Sequence, residues 1–163
     1  KPDEKSDEVV IALLKTKGIE LEDGYTRGLA VSKVFEAYCE EQLIQPVFII
    51  DHPVESTPLC KQHRTEKGMV ERFEPYINGW EVGNAYSELN DPILQRKLLL
   101  EQVERGRGGE EETHPMDDDF IQALEFGMPP TGGVGIGIDR MVMLLTDQSN
   151  IRDVVLFPLM RDL

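Results

Sequence analysis

The sequence predicts an α+β fold, an antiparallel sheet flanked by helices. Three observations point that way. A β-hairpin signal is centred on Asn78-Gly79, short helical and extended stretches alternate along the chain, and 163 residues with 40% hydrophobic and 29% charged side chains suit one domain with a sizeable core.

The hairpin comes first because the other assignments are arranged around it. Asn78-Gly79 separates two β-type runs, and both residues tolerate the positive φ of a type I′ turn. A two-residue loop then sets the register: Ile77 opposite Trp80, Tyr76 opposite Glu81, Pro75 opposite Val82 and Glu74 opposite Gly83. Side chains alternate along a strand, so Glu74, Tyr76, Glu81 and Gly83 share one face, with the two carboxylates as diagonal neighbours. Like charges so placed repel unless a cation lies between them. Two oxygen ligands on a rigid sheet suit Mg²⁺ or Mn²⁺, with waters and substrate phosphates completing the shell. Two solvated glutamates on an exposed face are the alternative.

The other elements follow in chain order. Val9, Val10, Leu13 and Leu14 form one stripe of a helix over Asp7 to Lys17, which Gly18 closes, and the residues before it are expected to fray. A second helix is predicted from about Arg27 to Leu43, with Ala30, Val34, Ala37 and Tyr38 on its stripe and Pro46 beyond its end. Pro46 to Ile50 reads as a buried strand that ends at Asp51-His52-Pro53, either a proline-closed turn or a metal or acid–base site. Val54 to Gly68 is irregular; its basic residues His63, Arg64 and Lys67 either contact phosphates or sit solvated.

After the hairpin, Asp91-Pro92 is an N-cap followed by proline at the first helical position, and Leu94, Leu98, Leu99 and Val103 carry the helix to about Arg105. Gly106 to Glu112 has no periodicity and is expected to be a mobile surface loop. A short helix starts near Asp117, turns Phe120, Ile121 and Leu124 inward, and stops at Gly127. In Pro129 to Thr146, the glycines at 132, 133, 135 and 137 interleave with Val134, Ile136 and Ile138, so one face of this strand is almost bare. A bare face admits a flat ligand against the backbone, or tight packing of a helix. Asp139 is the expected N-cap of a helix from Arg140 to Leu145. Arg140 then lies at the positive end of the helix dipole, a placement that costs about 0.3–1 kcal/mol and that a bound anion would reverse. Ile151 to Pro158 closes the chain as a further buried strand.

Composition excludes several classes. The net charge is -14, from 31 acidic and 17 basic residues, so the surface repels nucleic acid. The acidic runs Asp3 to Glu8 and Glu110 to Asp119 read as solvated. Cys39 and Cys60 lack a metal-site spacing and fit a reducing compartment. No apolar run approaches a membrane span, so no membrane partner is expected. The chain opens on Lys1-Pro2, and a piece of a longer protein is expected.

Two stretches carry a resemblance. Gly135-Ile136-Gly137-Ile138-Asp139-Arg140, followed by Ile151 to Arg161, resembles motif 3 of the class II aminoacyl-tRNA synthetases, at about residues 129–161. Trp80 to Pro92, WEVGNAYSELNDP, resembles the amino-acid pocket of the lysyl enzymes, where the aspartyl and asparaginyl ones carry an arginine-bearing segment. The resemblance runs from about Leu43 through Arg161. It implies a partial class II fold, the C-terminal portion of a catalytic domain that occupies the whole chain, 1–163. Motifs 1 and 2 and the anticodon-binding domain have no counterpart here.

By the same resemblance, Glu74 and Glu81 match the carboxylates that bind Mg²⁺ bridging the ATP phosphates. Asn84, Tyr86 and Glu88 match the lysine pocket: a carboxylate for the ε-ammonium, a ring over the apolar stem and an amide for polar contacts. Arg140 matches the arginine that contacts ATP at the adenine and terminal phosphate, with Gly135 and Gly137 beside it. The implied reaction activates L-lysine with ATP and transfers it to tRNA(Lys), in a cytoplasmic homodimer, without a nucleophile or general base from this segment. This chain alone is expected to be inactive. A paralogue that lysylates a protein such as elongation factor P, or a binding module without catalysis, are the competing readings. One geometric condition attaches. Glu81 and the set Asn84, Tyr86, Glu88 differ in parity, so they share a face only if a β-bulge interrupts the strand near Gly83-Asn84.

Overall fold

The computed structural model describes residues 7–19, 26–107 and 114–159. Among the described residues, five strands form one antiparallel sheet: β1 (Val47–Pro53), β2 (Met69–Ile77), β3 (Trp80–Glu81), β4 (Gly83–Ser87) and β5 (Gly132–Ile136). The order across the sheet is β1-β2-β4-β5, with β3 also paired to β2. Helices α1 (Asp7–Thr16) and α2 (Arg27–Tyr38) precede the sheet, α3 (Pro92–Arg107) and α4 (Asp118–Phe126) separate β4 from β5, and α5 (Ile138–Thr146) follows β5. The α+β architecture is as predicted.

The hairpin turn is the type I′ one, with φ of 57° at Asn78 and 74° at Gly79. Its two amides donate to the Ile44 and Leu43 carbonyls at 3.0 and 2.9 Å, so the segment after α2 holds the tip. Helices α1 and α2 bury Val10, Leu14 and Ala30 between them. Thr26 caps α2, its hydroxyl accepting from the Leu29 amide at 3.3 Å. Asp91 caps α3 through the amides of Ile93 and Leu94, at 2.9 and 3.1 Å, and Asp117 caps α4 through that of Phe120 at 2.8 Å. Buried Leu99, Ile121 and Leu124 lie on α3 and α4, which pack together. No helix among the described residues is long and apolar enough to cross a membrane.

Several expectations are corrected. Helix α2 stops at Tyr38, and a 3-10 turn, Glu40–Gln42, replaces its predicted last turn. β1 is an edge strand with Phe48 and Ile50 largely exposed, where a buried strand was expected. Asp51-His52-Pro53 belongs to that strand and forms no turn; Asp51, at φ 60°, makes an irregularity in its pairing with β2. Phe120 lies partly exposed, because Ile121 and Leu124 take the buried side of α4. Gly137 takes the cap position of α5, so Asp139 lies in its first turn and Arg140 is its third residue. Ile151–Asp153 is a 3-10 turn, and Leu156 and Phe157 are about nine-tenths exposed: no described strand pairs with them. Gly106 and Arg107 continue α3. The rest of the predicted loop, like the frayed residues before Asp7, lies outside the described residues.

Candidate functional site

The site begins with a count of residues. Tyr76 pairs with Glu81 and Phe73 with Ala85. Between those pairs β2 has two residues, Glu74 and Pro75, while the facing chain has three, Val82, Gly83 and Asn84. That extra residue is a β-bulge, and it reverses the parity of everything after it. Val82 still donates to the Pro75 carbonyl at 2.9 Å, so the predicted register ends there, and Glu74 does not take Gly83 as its partner. Glu81 before the bulge and Asn84, Tyr86 and Glu88 after it therefore share the face of Arg72, Glu74 and Tyr76. On β5, Gly133 opposes Tyr86 and Gly135 opposes Asn84, so the bare side of the glycine strand adjoins the same face.

Glu74 is the buried centre, 7% exposed. Arg72 donates from its guanidinium to Oε1 of Glu74 and, through Nε, to Asn84 Oδ1 at 3.1 Å. Tyr76 donates to Glu74 Oε2 at 3.1 Å, and that burial beside Glu74 pushes the phenol well above its ordinary value. The edge of the Phe35 ring from α2 closes on Tyr76, with centroids 5.9 Å apart. The irregularity at Asp51 brings His52 to this face, opposite Val70, with Nε2 3.7 Å from Glu74 Oε2. Burial holds the imidazole below its usual value, and Nε2 has no hydrogen-bond partner among the described residues.

Glu81 is less enclosed. Arg140 of α5 donates to its carbonyl and lies 3.9 Å from its carboxylate. Burial, then the charge of Glu74, pushes the Glu81 carboxyl above the usual range. Glu40, in the turn after α2, is raised by the same two causes, so three acidic groups sense one another here. Such mutual repulsion is what a cation would relieve. Among the described residues no group of three or more possible metal-ligating side chains comes together. The donor set fits a hard cation held by two carboxylates and otherwise by water and phosphate oxygens. Glu81 is the less engaged carboxylate, and Glu74 keeps a second lone pair on each oxygen.

In the second part of the site, the Arg72 bond engages Asn84 Oδ1, leaving the NH₂ of that amide as its donor group. Glu88 stands beyond Tyr86. Burial alone raises its carboxyl, and among the described residues no cation pairs with it. The structure thus brings together Glu74, Glu81, Asn84, Tyr86, Glu88, Gly135 and Arg140, with Gly137 beside Arg140 at the start of α5. Sequence reasoning missed Arg72; it offered His52 only as part of a possible metal or acid–base site and Gly133 only as part of the bare glycine face. Parity with Glu74 could have found Arg72; nothing in the sequence marks the irregularity that aims His52.

On the opposite face, Ile50, Phe73, Ala85 and Val134 floor a concavity of about 650 Å³. Arg64 donates to both carboxylate oxygens of Glu71 at its rim, at 2.6 and 3.1 Å, and pulls that carboxyl down to about 2. Arg64 is thereby a paired residue. His63 lies 3.5 Å from Asp51.

An antiparallel sheet that presents carboxylates, a glycine strand and an arginine at a helix start is the arrangement of a class II synthetase, and the sequence comparison agrees. Residues 4–161 match the family described as tRNA synthetases class II (D, K and N), and the chain belongs to that family. Lysine–tRNA ligases are among its curated relatives. That of Sulfolobus acidocaldarius is 49% identical over 159 residues, which cover 97% of this chain and 32% of the relative. That of Saccharolobus solfataricus is 57% identical over 135 residues, 83% of this chain and 27% of the relative. The Clostridium perfringens protein is 52% identical over 160 residues, 96% of this chain and 32% of the relative. The chain spans about a third of the length of these relatives.

Proposed function

We propose that this chain is the C-terminal portion of the catalytic domain of a lysine–tRNA ligase, which activates L-lysine with ATP and passes it from the adenylate to tRNA(Lys). The observation that carries the reading is the bulge at Val82 to Asn84, which sets Glu74, Glu81, Asn84, Tyr86 and Glu88 on one face. Glu88, a partly buried carboxylate without a cationic partner among the described residues, receives the ε-ammonium. Tyr86 lies along the stem, and the NH₂ of Asn84, whose Oδ1 is held by Arg72, donates to an oxygen of the amino acid. Glu81 and Glu74 would hold Mg²⁺, which supplies charge neutralisation at the ATP phosphates. Arg140, with Gly135 and Gly137 beside it, contacts the nucleotide. The chemistry rests on positioning and charge, and no nucleophilic side chain is required. A cytoplasmic homodimer fits the reading, with motifs 1 and 2 and the anticodon-binding domain supplied from outside this chain.

The test is ATP–pyrophosphate exchange by the full-length protein with lysine, aspartate, asparagine or β-lysine as the amino acid. Exchange with lysine alone is expected, and none from this chain by itself. Exchange with aspartate or asparagine in place of lysine, or with no amino acid at all, overturns the assignment.

A further inference from the structure

We propose that Gly133 is a specificity-determining residue: the volume its missing side chain leaves is occupied by the carboxylate of Glu88, which fixes where the far end of the amino acid is received. This rests on the reading of Glu88 as the ammonium acceptor, and goes beyond it by naming what holds that acceptor in place.

The glycines around β5 are not equivalent. A Cβ at Gly132 would have the Tyr86 carbonyl at 3.9 Å as its nearest neighbour, one at Gly135 the Asn84 carbonyl at 3.8 Å, and one at Gly137 the Val82 carbonyl at 3.6 Å. Those are ordinary van der Waals separations, and each site has room for a methyl group. At Gly133 the same atom would lie 2.0 Å from Oε1 of Glu88 and 3.2 Å from its Cδ. None of these four has a positive φ, so backbone conformation does not demand glycine at Gly133. Only the head of the Glu88 side chain does.

The Glu88 backbone cannot move to compensate. Its amide donates to the Thr131 carbonyl at 2.9 Å, the next amide donates to Leu59 at 3.0 Å, and Cys60 bridges it from the other side. A methyl group at Gly133 therefore swings the carboxylate out of its place over the strand, while the sheet beneath stays as it is. Burial of that carboxylate, which raises its proton affinity, fits a group that waits for a cation. The consequence is local to one substrate: the acceptor moves, and the nucleotide residues Glu81, Gly135, Gly137 and Arg140 do not.

The experiment compares Gly133→Ala, Gly132→Ala and Glu88→Gln in the full-length protein. It measures calorimetric affinities for lysine, for norleucine, which has the same stem without the ammonium, and for ATP, together with the thermal midpoint. Gly133→Ala should weaken lysine by about tenfold or more and narrow the lysine-over-norleucine preference. Its ATP affinity should stay within about twofold and its midpoint should be unchanged, and Gly132→Ala should match the wild type throughout. Wild-type lysine affinity in Gly133→Ala, alongside a loss in Glu88→Gln, overturns the role of Gly133 and leaves the pocket standing. Unchanged lysine affinity in Glu88→Gln sinks the pocket itself. A parallel fall in lysine affinity, ATP affinity and midpoint in Gly133→Ala would make the glycine a folding residue and also overturn the proposal.

Discussion

The two faces of the sheet reverse the usual arrangement. The front carries Arg72, Glu74, Tyr76, Glu81, Asn84, Tyr86 and Glu88, yet Glu74 and Tyr76 are buried. The back carries Phe48, Ile50, Val134 and Ile136, each more than 60% exposed. Burying a charged group is unfavourable unless it is paired and hydrogen-bonded, and on the front Glu74 has Arg72 and Tyr76 for that. Leaving apolar side chains in water forgoes roughly 25 cal/mol per Å² of burial. The comparison teaches where each face gets its order. The front is held by directed polar contacts within the chain, and the back is an apolar surface that no described element covers.

Five measurements would break or sharpen that contrast. The largest effect is expected for Glu81→Gln in the full-length protein: pyrophosphate exchange should fall by about a thousandfold, as when a group aimed at developing charge is lost. Wild-type exchange would remove Glu81 from the site. Next, Arg72→Met leaves Glu74 buried without its cation, and urea denaturation should show a loss of about 3 kcal/mol. A loss below about 1 kcal/mol would mean that the front network does not hold the sheet. Tyr76→Phe deletes one donor to the same carboxylate and should cost about 1–2 kcal/mol by the same assay.

The fourth concerns the back face and pH. Glu71, held at about 2 by Arg64 and Ser87 against an ordinary 4.5, binds its proton less readily when folded. Its contribution is therefore present above about pH 4.5 and is lost as the pH falls towards 2. Glu71→Gln should flatten the acid limb of the stability curve in that window; an unaltered limb would discard the ion pair as a contributor. The smallest effect is expected for Val134→Thr on the exposed back of β5, within about 0.5 kcal/mol in this chain. A loss above about 2 kcal/mol would show that this face is covered after all.

Much of this was legible in the residues. Asn78-Gly79 fixes the hairpin and its first three pairs, and the caps at Asp91 and Asp117 stand where their side chains indicate. The bulge could be inferred too, because Glu81 and Glu88 cannot otherwise share a face. What failed has a common cause. Phe48 and Ile50 read as buried because an apolar run carries no mark of whether its strand lies at a sheet's edge or in its middle. Val154 to Phe157 read as a strand, but a strand exists only where another can bond to it. The start of α5 slipped because Gly137 takes the cap position that Asp139 was expected to fill. Arg72 was passed over since a cation between two acidic positions looks like an ordinary surface residue until its bonds to Glu74 and Asn84 are seen.

The bulge also governs how this segment can change over time. A one-residue deletion at Gly83 would only make the ladder regular, with Ala85 and Tyr86 still opposite Phe73 and Arg72, whereas deleting Ala85 just past it would set Tyr86 against Phe73 on the back face and present Ser87 and Leu89 where Tyr86 and Glu88 now stand. Length drift is therefore tolerable at the bulge and not beyond it: in any descendant of this chain that keeps the same chemistry, the interval from Asn84 to Glu88 should stay constant even where the letters between them do not.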